Sequence, residues 1–291
     1  MNNEKREQLL RDGYCKFEGV LPENLLAELR RVTDTLVDAR TQEHLSLNRS
    51  PGSMINVMEH PIFADLIALP SALEAMASIG YPNPKFSSGY VISKPPKSPR
   101  LFWHYDWACW DDPNAFGAHP QQVFFMYYLV DTTRHNGCLR VLPGTHVNEH
   151  PLHQRLVEAH SDALLRAKDL ARPEFSDCED EVEVCVKAGD LLVGDSRILH
   201  ASHANESDIR RTVITLWFHP DMAQLDEGTQ GFAAGLVGEV PQDWPAEKRA
   251  LIEPLLARYE GDVEPLTWSR HRPGASWERA TERKAPPARY I

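Results

Sequence analysis

The stretch Leu101-Phe102-Trp103-His104-Tyr105-Asp106-Trp107-Ala108-Cys109-Trp110 decides how the rest of the chain is read. Pro95, Pro96 and Pro99 precede it, and Asp111-Asp112-Pro113-Asn114 follows, so an aromatic run stands between turn signals. Such a run predicts a strand. On a strand, side chains two apart share a face, which sends His104 and Asp106 to the same side. An imidazole and a carboxylate so placed can reach one divalent metal. They supply two members of the His, His, carboxylate set that suits non-haem Fe(II) with positions left open.

His-x-Asp alone is a weak signal in a chain with 13 His and 42 Asp plus Glu. It recurs as His160-Ser161-Asp162 and as His219-Pro220-Asp221. The first lies in residues 156–170, whose apolar spacing predicts a helix, where positions i and i+2 diverge. The second has Pro220 between its members at the end of a strand pattern. The metal pair is therefore taken to be His104 and Asp106.

At 291 residues, with 42% hydrophobic and 25% charged side chains, the chain has the composition of a soluble globular protein with a sizeable core. Nothing approaches the ~18 consecutive apolar residues of a membrane span. The opening Met1-Asn2-Asn3-Glu4-Lys5-Arg6 lacks the apolar core of a signal peptide, so a cytoplasmic location is expected. Cys15, Cys109, Cys138, Cys178 and Cys185 form no Cys-x-x-Cys and are expected as reduced thiols. A net charge of −11 argues against a broad nucleic-acid surface, though Lys94, Lys97 and Arg100 leave a local basic patch. A small-molecule substrate, with neither nucleic acid nor membrane as partner, is the expectation.

Outward from the central stretch, the pattern predicts a short helix over 3–11 stopped at Gly13 and a strand over 14–20. A second helix opens at Leu21-Pro22, with Leu25, Leu26, Leu29, Val32, Leu36 and Val37 on one face. Residues 41–60 read as irregular, and 61–79 as helical with a break at Pro70. Strands are expected over 86–93, 101–110, 122–131, 138–142, 182–186, 191–193 and 210–219, with a charged helical insert over 149–180. Residues 122–131 are apolar almost throughout, as in a strand buried on both faces. Helices followed by short strands between Gly, Pro and Asn turns predict a β-sandwich or barrel with helices outside. One domain over 1–291 is expected, with a core at about 13–219. The extension over 220–291 carries Trp244-Pro245, a helix over 246–259 and a basic stretch over 270–289, and reads as an oligomer arm or a lid.

The third ligand is expected from another strand. His200 qualifies, in Gly189-Asp190-Leu191-Leu192-Val193-Gly194-Asp195-Ser196-Arg197-Ile198-Leu199-His200-Ala201-Ser202. Arg210 and Arg211 open the final strand, and an arginine fixed near a metal can bind a carboxylate with both arms of its fork.

These residues resemble the phytanoyl-CoA dioxygenase-like branch of the Fe(II)/2-oxoglutarate oxygenases over residues 13–219. The matching blocks are Asp12-Gly13-Tyr14 with Leu21-Pro22, then Trp103-His104-Tyr105-Asp106. Asn136-Gly137-Cys138-Leu139-Arg140-Val141-Leu142-Pro143-Gly144-Thr145-His146 follows, and then His200-Ala201-Ser202 with Asn205, Ser207 and Arg210-Arg211. The resemblance implies a double-stranded β-helix (jelly-roll, cupin-like) core with iron between two sheets. It implies Fe(II) on His104, Asp106 and His200, with 2-oxoglutarate as cosubstrate, O2, and release of succinate and CO2. It also implies an arginine on the far carboxylate of the cosubstrate. The family usually places three residues between the Ser and the first Arg of the last block, and here only Asp208 and Ile209 intervene. Spacing from His200 favours Arg211, whereas the shape of the block favours Arg210. Adjacent strand residues face opposite ways, so one points inward, and Arg211 is preferred.

Trp110 matches an aromatic that some relatives place beside the cosubstrate, with a core tryptophan as the alternative. Ser202 is expected to bond either the cosubstrate or its own turn. His146 reads as structural and His203 as a surface or supporting group. Relatives that halogenate lack the carboxylate ligand, so Asp106 implies oxygen insertion, desaturation or ring formation. The competing readings are a zinc hydrolase on the same three ligands and a metal-free jelly-roll binding protein.

Overall fold

Gly13 sits at φ +86°, a left-handed conformation that closes helix α1 (Asn3–Asp12) and turns the chain into strand β1 (Tyr14–Phe17). A Cβ there would lie 2.7 Å from His146 Nδ1 and 2.9 Å from Ile198 Cδ1, so this turn packs against two segments far away in sequence. The computed structural model describes residues 1–156 and 160–269. The expected basic stretch over 270–289 lies outside the described residues.

After β1 come α2 (Glu23–Asp38), α3 (Gln42–Leu47), β2 (Ile55–Asn56), α4 (Ile62–Ile67) and α5 (Pro70–Ser78). Pro70 opens α5, which is why the helical pattern over 61–79 divides there. Then follow β3 (Lys85–Lys94), β4 (Leu101–His104), β5 (Val123–Tyr128), β6 (Leu139–Val141), α6 (Asp162–Leu165), β7 (Val182–Val184), β8 (Leu191–Asp195), β9 (His200–Ser202) and β10 (Arg211–His219). Helices α7 (Glu227–Val237) and α8 (Ala246–Ile252) complete the elements.

The strands form two antiparallel sheets, ordered β1-β8-β5-β10-β3-β2 and β4-β9-β6-β7. Strand β5 shows how they stack. Phe125 and Tyr127 point into a core shared with α2, α4 and α5, built on Leu29, Val32, Phe63 and Met76. Phe124, Met126 and Tyr128 point the other way, onto Leu139, Val141 and Val184 of the second sheet. Both faces of β5 are buried, as its unbroken apolar run requires. Two facing antiparallel sheets with helices packed outside the larger one are the double-stranded β-helix arrangement, here without a closed barrel.

Three expectations are corrected. The aromatic stretch is a strand only over Leu101–His104; from Tyr105 the backbone is irregular, since the amides of Asp106 and Trp107 both turn to Ser196 O (2.7 and 2.9 Å). The insert over 149–180 holds only α6 and short 3-10 turns among its described residues, because buried Arg140 ties it down through Glu181, Asp177 and Ser176 O. Helix α7 stands in a part of the extension where the pattern predicts no element. No helix among the described residues is long and apolar enough to cross a membrane.

Candidate metal centre and its cavity

Strands β4 and β9 pair antiparallel, with His104 and His200 opposite one another in register. Asp106 stands just past the end of β4, fixed by the two amide bonds to Ser196 O. The result brings the three side chains together. His104 Nε2 lies 3.6 Å from Asp106 Oδ1, and His200 Nε2 lies 3.7 Å from Asp106 Oδ2. The two imidazole centroids are 4.1 Å apart. All three residues are buried.

Each imidazole is oriented by its own backbone. His104 Nδ1 donates to Phe102 O (2.9 Å) and His200 Nδ1 donates to Ile198 O (3.1 Å). A carbonyl can only accept, so both rings carry the proton on Nδ1 and turn the Nε2 lone pair to the cluster. Trp217 Nε1 donates to Asp106 Oδ2 (2.9 Å) and fixes the carboxylate. Ligands at about 2.1 Å from one six-coordinate ion stand roughly 3.0 Å apart when cis and 4.2 Å when trans. The observed separations lie within about 0.7 Å of the cis value, and the neutral tautomers are the ones that ligate. The donor set fits a divalent metal.

Arg211 opens β10 opposite Lys94 of β3, and its side chain is buried. Its Nη2 donates to Ser202 Oγ at 3.4 Å, its Cζ lies 5.8 Å from the Tyr128 ring centroid, and its Nε has no hydrogen-bond partner among the described residues. No carboxylate of the described residues pairs with it. Burial pushes its pKa down from the ordinary arginine value, yet a guanidinium stays charged. Lys94 is likewise buried, bonded to the carbonyls of Ser50 and Pro99, and burial with the nearby Arg211 charge lowers its pKa. Arg211 is thus a buried cation with no counter-ion among the described residues, and it calls for an anion, because an unpaired buried charge costs several kcal/mol.

Arg210 faces outward to Asp34 (3.0 Å) and Asp38 (2.6 Å) of α2. Trp110 is buried against Tyr105 and Phe116, both at 5.2 Å, and is absent from the cavity wall. It packs behind the metal strand with Trp103, Tyr105 and Trp107, so the aromatics of the opening stretch serve the core. His146 Nε2 meets Leu10 O (3.1 Å) and His203 Nε2 meets Glu183 Oε1 (3.0 Å), both outside the cavity wall.

A cavity of about 360 Å³ joins the three ligands to Arg211 and Ser202. Its far wall includes Tyr90 and Trp217 of the larger sheet, Phe232 and Leu236 of α7, and Trp268. Sequence reasoning missed the residues of the tail; the Asp226 cap before a small-residue run was the available signal for α7. It also set aside His160. Asp162 of that motif pairs with Arg166 and Lys168 at the surface, but the His160 ring turns into the cavity, 5.0 Å from that of His104.

Three comparisons bear on this arrangement. The family model described as phytanoyl-CoA dioxygenase matches residues 9–213. Phytanoyl-CoA dioxygenase 1 of Oryza sativa subsp. japonica is 27% identical over 177 residues, 60% of this chain and 58% of the relative. The ectoine dioxygenase of Nocardia farcinica is 27% identical over 125 residues, 41% of this chain and 42% of the relative. The chain thus spans less than two thirds of the length of these curated relatives. The epimerase SnoN, solved in complex with Fe3+, alpha ketoglutarate and nogalamycin RO, superposes with a TM-score of 0.58 at 19% identity, covering 92% of this chain and 96% of the other. That likeness bears on the fold.

Proposed function

The chain belongs to the phytanoyl-CoA dioxygenase family, and from that membership we propose an Fe(II)- and 2-oxoglutarate-dependent oxygenase that oxidises a C–H bond of a small molecule. One observation carries the reading. Two imidazoles locked with Nε2 inward, and a carboxylate between them, share a cavity with a buried arginine that has no anionic partner among the described residues.

His104, Asp106 and His200 would hold the metal. When bound, Fe(II) supplies the O2 chemistry: 2-oxoglutarate is decarboxylated to succinate and CO2, one oxygen atom ends in succinate, and in hydroxylation the other enters the product. Arg211 binds the far carboxylate of 2-oxoglutarate as a charge-assisted pair, and Ser202 steadies the guanidinium. Trp217 holds the Asp106 carboxylate at the angle its ligation needs. The aromatic wall excludes water and positions the carbon to be oxidised.

The cavity also speaks to the substrate. Among the described residues, and apart from the imidazoles, its charged lining groups are Asp106 and Arg211, the one engaged by the metal and the other by the cosubstrate. The polar side chains left over, among them Asn56, Ser88, Gln122 and Thr215, are neutral. A mainly apolar, uncharged compound with a few hydrogen-bonding groups, such as a specialised metabolite, fits this lining better than a charged one.

The test is succinate formation from 2-oxoglutarate under O2 with Fe(II), screened for stimulation by neutral and charged candidate compounds. His104→Ala or His200→Ala is expected to abolish it and to remove most bound iron while the thermal transition of the fold persists. Wild-type iron content and turnover in either variant would sink the reading.

A further inference from the structure

We propose that His160 is a fourth protein ligand of the metal in the substrate-free enzyme, holding the position that O2 needs until the substrate displaces it. The inference rests on the iron-site reading and adds a residue and a gating role to it.

The geometry is specific. His104, Asp106 and His160 each offer a ligand atom, and these atoms all lie within 4.8 Å of one another. Ligands of one six-coordinate ion stand about 3.0 Å apart when cis and about 4.2 Å when trans, so these three close in on the ion as it binds, with His200 opposite His104 completing the set. The His160 ring stands nearly perpendicular to those of His104 (88°) and Phe102 (86°), at 5.0 and 5.3 Å.

The local backbone supports the placement. His160 has φ +66°, a left-handed conformation that a non-glycine residue adopts only where its surroundings enforce it. The enforcement is visible immediately after it. Ser161 starts α6, and Leu164 of that helix is buried with Phe102, Ala167 and Phe175. Ser50 N donates to Leu165 O at 2.8 Å and ties the helix to the opposite loop. The strained residue is thus anchored with its imidazole over the metal strand.

Counting positions gives the consequence. Four protein ligands and a chelating 2-oxoglutarate fill six places, leaving none for O2. His160 lines the same cavity as the aromatic wall, so a substrate entering there competes for the space of the ring. Displacement of His160 then opens one position only when something is present to be oxidised.

The test uses full-length protein loaded with Co(II), carrying ring-labelled histidine, and counts the sets of hyperfine-shifted imidazole resonances. Three sets are expected in the wild type and after adding 2-oxoglutarate, and two in His160→Ala and His160→Gln. Two sets in the wild type, as when His160 only hydrogen-bonds Asp106, overturn the proposal, as does loss of the third set on adding 2-oxoglutarate alone. A second readout is 2-oxoglutarate consumption under Fe(II) and O2 without substrate, expected to rise about tenfold in both variants. An unchanged rate overturns the gating role. His104→Ala separates the two levels of the account. Loss of a set there, with none owed to His160, leaves the iron site standing and removes this inference; an unchanged count there removes the iron site itself.

Discussion

Arg210 and Arg211 are neighbours in the chain with opposite fates. Arg211 is buried beside Ser202 and Tyr128, whereas Arg210 makes two ion pairs with exposed partners on α2. Arg211→Gln is expected to raise the apparent KM for 2-oxoglutarate by two or more orders of magnitude, roughly 3 kcal/mol at ~1.4 kcal/mol per tenfold. Arg210→Gln should leave that KM within about twofold and cost stability well under ~1 kcal/mol, the worth of exposed ion pairs. Kinetics on the two variants, with a denaturant melt for each, measures both. Strand parity said only that one of the pair points inward; the spacing from His200 in the resembling family favoured Arg211, although the two residues stand in different sheets. Trp110 was not legible in the same way: once β4 ends at His104, alternation no longer says where a side chain points. His160 was hidden for a related reason, because only its left-handed backbone and the anchoring of α6 aim it inward.

At the scale of elements, β10 carries both the arginine proposed to bind the cosubstrate and a buried titratable group at its other end. Burial lowers the pKa of His219 from 6.5 to about 4, while its Nδ1 bonds Gln121 O at 2.9 Å. The folded state keeps the ring neutral where the unfolded chain takes up a proton. Stability is therefore lost as pH falls from ~6.5 toward ~4 and the loss levels off below that, on the order of 3 kcal/mol in all. His219→Gln should flatten that part of the stability curve, measured by urea melts at stepped pH; an unaltered slope would place the acid sensitivity elsewhere. The Pro143-Gly144-Thr145-His146 block supplies a second case. Thr145 Oγ1 donates to Leu142 O (2.7 Å) and accepts from Leu199 N (2.9 Å), next to His200. Thr145→Val keeps the shape and strands the Leu199 amide, so a loss of about 1–3 kcal/mol is expected in the same melts. The strand pattern and the motif blocks were readable because local turns punctuate them. The irregular path from Tyr105 to Trp110 was not, since Ser196 sets it from a distant segment.

For the whole molecule, the C-terminal segment is part of the cavity. Phe232 and Trp268 pack together at 5.8 Å and both line the wall. Phe232→Ala is expected to change the ranking of substrates and raise their KM at least fivefold while leaving the KM for 2-oxoglutarate unchanged. Competition assays with pairs of candidate substrates read that split. This wall was beyond sequence reasoning because it depends on contacts between the tail and strands more than a hundred residues earlier. The fold class needed only element order and could be read; the shape of the cavity needed packing.

The central claim is that His104, Asp106 and His200 hold a metal to which 2-oxoglutarate binds with its far end on Arg211. Anaerobic titration with Fe(II) and then 2-oxoglutarate tests it directly, through the visible charge-transfer absorption of a 2-oxo acid chelated to ferrous iron. The wild type should develop the band and saturate. His200→Ala should develop none, and Arg211→Gln should need about a hundredfold more 2-oxoglutarate. A wild-type protein that binds Fe(II) at this site yet gives no band, or one that hydrolyses a substrate with Zn(II) in the absence of O2, would contradict the account.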